Sequence, residues 1–119
     1  MSSFDQEKNA FLAQLTEDNF QFETTLAFID KHYDFTASAF NNGGVKNNAD
    51  QNQGSCKVFA LAQLLQLNQQ QTLACFGQHY RDVIATPNTD NHHNLRRVLK
   101  GGLEGISFEH FPLEQKEAN

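Results

Sequence analysis

The sequence predicts a small, mainly α single domain: a bundle of about five helices with one long polar loop and room for a short hairpin or terminal strand. Three observations lead there. The 119 residues are one domain's worth of chain. Apolar residues recur at helical spacing in separate segments along most of that length. The strongest breaks in the pattern gather at a few places: Asn41 to Gly54, Thr86-Pro87 and Gly101-Gly102. Residues 1–112 are read as the domain and residues 113–119 as a frayed acidic tail.

The first helix is expected from about Phe4 to Leu15. Ser3 and Gln6 stand at capping-box spacing, and Phe4, Phe11, Leu12 and Leu15 share a face. The second runs from about Asn19 to His32, with Phe22, Leu26, Ile29 and Tyr33 in line and Thr16 or Asp18 as its cap. A polar interruption follows. Of the 14 residues from Asn41 to Gly54, 11 are Asn, Gln, Gly or Asp, which reads as a surface loop unable to bury a face. Asn42-Gly43 is a hairpin signal, but Val45 alone makes a poor second strand.

The third helix, Ser55 to Leu67, is apolar nearly all round and should be central. Asn68 with Gln71 forms a capping box for a fourth helix reaching Ala85, before Thr86-Pro87. The fifth spans His92 to Lys100, capped by Asn91 or Asp90 and ended by Gly101-Gly102. Ile106-Ser107-Phe108 reads as a short extended piece. Phe occurs 11 times, without Trp, so the core is Phe-rich, and Asn and Gln make up about a fifth of the chain.

Composition excludes several functions. With 39% hydrophobic and 19% charged residues the chain is not disordered throughout. A formal net charge of −5 argues against a nucleic-acid partner. No apolar run reaches the roughly 20 residues of a membrane helix, and residues 1–5 lack an export signal, so a cytoplasmic protein is expected. No cofactor or bound metal is expected.

Cys56 stands where the third helix begins, a position that lowers a thiol's pKa and offers free N–H groups. If helices three and four form an antiparallel pair turning at Asn68, the residues level with Cys56 are His79 and Tyr80. Cys56 and His79 are then a candidate nucleophile and base for a thiol-dependent hydrolase or transferase. The same register keeps Cys56 from Cys75, so both thiols should be free. Cys75, His79 and Asp82 have the i, i+4, i+7 spacing of metal ligands, although such sets are usually solvated. His92 and His93 with Arg96 suggest a metal- or phosphate-binding regulatory module, and Arg96, Arg97 and Lys100 form a small basic patch on the same helix suited to a phosphate or an acidic partner.

Four stretches together resemble the HopJ type III effector family. They are Tyr33-Asp34-Phe35 with Ala39 to Gly43; Asn52 to Ala60; Gln71 to Gly77 with Tyr80-Arg81; and His92 to Arg96 with Gly105 to Phe108. The chain departs from the family pattern at Asn91, where an acid is usual, and at Leu103, where Trp is usual. The resemblance singles out Tyr80, Arg81, His92, Asn94 and Arg96 beside Cys56 as motif positions. It implies a protein of undefined activity that acts through a protein or small-ligand surface. If it is a true type III effector, it is secreted into a host cell.

Overall fold

The computed structural model describes residues 3–116 and contains six helices and five strands among them. The mainly α expectation is therefore corrected to a mixed fold, in which two small antiparallel sheets pack with the helices.

Helix α1 (Ser3–Gln14) lays Phe11 flat on Phe28 of α2 (Phe22–His32), ring centroids 4.5 Å apart. Phe4 meets Phe28 and Tyr33 from the same side. The Ser3 side chain lies outside the described residues. Helix α2 starts at Phe22 rather than Asn19, and neither Thr16 nor Asp18 caps it. Its Phe22 N–H donates instead to Gln78 Oε1 at 2.7 Å, a cap supplied by another helix.

Strand β1 (Tyr33–Phe35) leaves α2 directly and pairs with β5 (Leu113–Gln115), Phe35 opposite Leu113. The expected frayed tail is thus a strand over 113–115, anchored by buried Leu113, while residues 117–119 lie outside the described residues. A second sheet has the order β3-β2-β4: β2 (Phe40–Asn42), β3 (Val45–Asn47) and β4 (Ile106–Phe108). Gly43 and Gly44, both at positive φ, turn β2 into β3, so the hairpin signal holds and Val45 does open a second strand.

The polar stretch from Asn41 is consequently a hairpin as far as Asn47, and the expected surface loop is confined to the exposed residues 48–52 that lead into α3. The hairpin buries amides in place of methyl groups: Asn42 and Asn47 are 0% and 3% exposed. Helix α3 (Gln53–Leu65) then crosses the centre, burying Cys56 and every residue from Val58 to Ala62. Gln66 ends it in a left-handed conformation.

Asn68 and Gln71 form the anticipated capping box on α4 (Gln69–Ala74). The helix expected to continue to Ala85 breaks at Gly77 (φ 55°, ψ −122°) and restarts as α5 (Gln78–Ala85). The break has a steric cause. A Cβ on Gly77 would lie 2.4 Å from the Phe22 nitrogen and 2.8 Å from the Phe20 carbonyl oxygen. The backbone before α2 occupies the space where a continuous helix would carry side chains. Helix α6 (His93–Gly101) packs against α4 and the β2–β3 hairpin and stops at Gly102, φ 77°.

Replacing Gly77 with Ala adds both a backbone clash and a strained φ. Urea unfolding of Gly77→Ala is expected to show a loss of about 1–3 kcal/mol, the range for overpacking, or more.

Candidate functional site

Two αL residues mark the site. Asn52 (φ 51°) and His92 (φ 53°) stand at the N-caps of α3 and α6, and neither side chain caps its own helix. For non-glycine residues this backbone is uncommon. Each side chain is engaged elsewhere. Asn52 Nδ2 donates to Asn47 Oδ1 at 2.6 Å, and His92 Nε2 lies 3.1 Å from Asp82 Oδ2 of α5. The expected caps of α6 have other tasks or none: Asn91 accepts from Arg96 and Thr89. Two helix starts are therefore left without a side-chain cap, with their N–H dipoles directed outward.

Both starts open on one pocket of about 300 Å³. Its floor is Phe22 stacked parallel on Phe76, centroids 5.8 Å apart. Gly54, in the first turn of α3, allows Phe22 to lie close, since a Cβ there would sit 3.0 Å from the ring. His79 stands edge-on to Phe22 at 5.0 Å and faces His92, centroids 5.3 Å apart. Ser55 of α3 and His93 and Asn94 of α6 complete the rim. Glu23, beside Phe22 at the start of α2, has its carboxyl held low chiefly by the hydrogen bond from the Gln78 amide.

The Gly77 break positions His79. By turning the chain between α4 and α5, it sets Gln78 to cap α2 and leaves His79 against Phe22. The same break takes Cys75 out of line with His79 and Asp82: Cys75 is fully buried, whereas Asp82 pairs with His92. Among the described residues no three His, Cys, Asp or Glu side chains converge as a metal-binding set.

Cys56 is one residue beyond the pocket rim and fully enclosed. Its Sγ donates weakly to the Ser38 carbonyl at 3.7 Å, and burial pushes the thiol up to about 11. Both cysteines are free, and burial raises Cys75 to about 12. Tyr80 and Arg81 line a different depression, near Leu15 and Phe20, where Arg81 donates to the Phe20 carbonyl at 2.8 Å.

Asn94 has its side chain in the buried amide cluster. Its Oδ1 accepts from Asn42 and Asn47, and its Nδ2 donates to Asn47. Arg96 is consumed in holding the 86–91 segment through Thr86, Thr89 and Asn91. Arg97 donates to the Gly43 carbonyl, and Gly43 and Gly101 leave room for its guanidinium. The basic patch expected on this helix is thus largely tied to the protein itself. The sequence reading missed Phe22, Phe76 and the Asp82–His92 pair as site components. The available signal was Gly77 inside an otherwise helical run.

A family model described as HopJ type III effector protein matches residues 8–113. The chain belongs to the HopJ family. The chain is also similar to a solved structure, the crystal structure of an unknown function protein, VPA0580, with a TM-score of 0.85 and 45% identity, covering 91% of this chain and 92% of that one. No match is found among curated proteins. No helix of this HopJ protein, among the described residues, is long and apolar enough to cross a membrane.

Burial of the thiols gives a direct expectation. Folded protein should react with iodoacetamide at neutral pH far more slowly at Cys56 and Cys75 than after denaturation, because the reactive thiolate is scarce below a pKa of about 11 or 12. Mass-spectrometric labelling time courses with and without urea check this.

Proposed function

We propose that this HopJ protein recognises a small ligand bearing an oxyanion, a carboxylate or phosphate group, in the pocket between α3, α5 and α6. The observation that carries the reading is the convergence of three imidazoles, His79 and His92 facing each other with His93 on the rim, and two helix starts without side-chain caps on one aromatic-floored cavity. Helix N-termini favour anions through their free N–H groups and dipoles. His79 and His92 add donors, and cationic charge when protonated. Phe22 and Phe76 supply an apolar surface for the rest of the ligand.

The net charge of −5 makes this a local device rather than a general polyanion surface. Of the residues suggested for phosphate binding, His92 and His93 stand at the pocket, whereas Arg96 is occupied by the 86–91 segment. A thiol-dependent reaction at Cys56 has the enclosed, weakly acidic Sγ against it. In the family's terms, the ligand would be met inside the receiving cell after type III delivery.

The test is titration of ¹⁵N-labelled protein with acetate and with inorganic phosphate. Saturable shifts are expected at the amides of Ser55 and Asn94, with affinity about tenfold weaker in His79→Ala and in His92→Ala, equivalent to about 1.4 kcal/mol each. Shifts scattered over the surface, unaffected by either substitution, would contradict the assignment.

A further inference from the structure

We propose that the same pocket hydrolyses small carboxylic esters by acid–base catalysis, with His92 as base and His79 as acid. The proposal rests on the oxyanion reading above and adds chemistry to it. The carrying observation is the arrangement of His79 and His92, which face each other on the cavity wall beside His93, with Asp82 behind His92. Asp82 holds His92 through Nε2 at 3.1 Å, which fixes the ring and leaves Nδ1 as its basic nitrogen. The second imidazole, His79, is 5.3 Å away, centroid to centroid. Asp82 thus serves as a positioning residue, and the two histidines line the pocket itself.

Two rings this close suit reaction at carbon. In a tetrahedral intermediate at carbon the attacking and departing oxygens are close together, so one imidazole can serve each from neighbouring positions. In-line displacement at phosphorus places them on opposite sides of the centre and needs the two groups further apart. The helix starts of α3 and α6 then have a defined role, because N–H donors stabilise the negative oxygen that develops as the carbonyl is attacked.

The steps balance with water as the only co-reactant. His92 Nδ1 takes a proton from water as the water oxygen bonds to the ester carbonyl carbon, and the C=O electron pair moves to the carbonyl oxygen. When that pair returns, the bond from carbon to the alcohol oxygen breaks, and the departing oxygen takes a proton from the His79 imidazolium. The products are an alcohol and a carboxylic acid, which releases its proton. Exchange with solvent returns both histidines to their starting states. The carboxylate product is itself an oxyanion of the kind the pocket is read to bind, so acetate should inhibit.

The experiment measures phenyl acetate hydrolysis by the full chain, alongside the amide titration with acetate. Wild type is expected to turn over with saturation kinetics and to be inhibited competitively by acetate. His92→Gln and His79→Gln should each lower kcat about 100-fold with little change in KM, the lower range for loss of a general acid or base. Asp82→Asn should also lower kcat while leaving KM and acetate binding unchanged, a split that a disrupted pocket would not give. His110→Gln, at an exposed histidine outside the pocket, should leave the rate unchanged. All variants are checked by amide spectra for the wild-type fold. Acetate binding at Ser55 and Asn94 without turnover would overturn the catalytic inference and leave the binding reading standing. Turnover that falls equally in His110→Gln and His92→Gln, the mark of background imidazole catalysis, would also overturn it. Absence of both binding and turnover would remove the two readings together.

Discussion

The buried amide cluster of Asn42, Asn47 and Asn94 is the constraint on which the rest of the site depends. Asn42 Nδ2 donates to both the backbone and side-chain oxygens of Asn94 at 3.1 Å. Asn47 and Asn94 exchange amide bonds in both directions, and Asn52 adds a fourth amide. These contacts join the β2–β3 hairpin to the starts of α3 and α6. Among the described residues the cluster leaves Asn42 Oδ1 without a partner. In a low-dielectric interior, satisfied amides are strong and unsatisfied ones costly, so such a cluster tolerates few alternative arrangements. The αL backbone at Asn52 follows from it: the side chain that would cap α3 is drawn to Asn47 instead.

A second set of amides works between helices. Gln53 donates to the Ser38 carbonyl while accepting from the Ser38 N–H, fixing the start of α3 against the segment before β2. Gln78 accepts from the first N–H of α2 and donates to Glu23. Gln69 meets the last carbonyls of α6 at Val98 and Leu99. The Phe-rich interior supplies the bulk of the burial, and these amides set how the elements meet. With Gly77 allowing the chain before α2 to approach, they bring residues from α2, α3, α5 and α6 to one pocket.

Some of this was legible in the sequence. The apolar girth of α3, the Asn68–Gln71 box and the Gly101-Gly102 stop each have a local chemical cause, and each is where the sequence puts it. The amide cluster was not legible, because hydropathy assigns Asn to the surface and only tertiary structure supplies the partners that permit its burial. Strand β5 is three residues long, too short for periodicity to register. The α4–α5 break was hidden because apolar spacing continues through Gly77, and the competing occupant of that space comes from far away in the chain. At the site, His79, His92 and Asn94 were recognised individually. Their roles were not, since the hydrogen bond to Asp82 and the cover over Cys56 depend on the tertiary arrangement.

The most direct measurement is a double-mutant cycle on Asn42 and Asn94, read by urea unfolding. Asn94→Ala strands donors on Asn42 and Asn47 and should cost about 1–3 kcal/mol. Asn42→Ala should be destabilising too, and the double variant should cost less than the two losses combined, with a coupling of at least about 0.5 kcal/mol. Two small, additive effects, each below about 0.5 kcal/mol, would contradict the claim that this cluster fixes the hairpin and the helix starts.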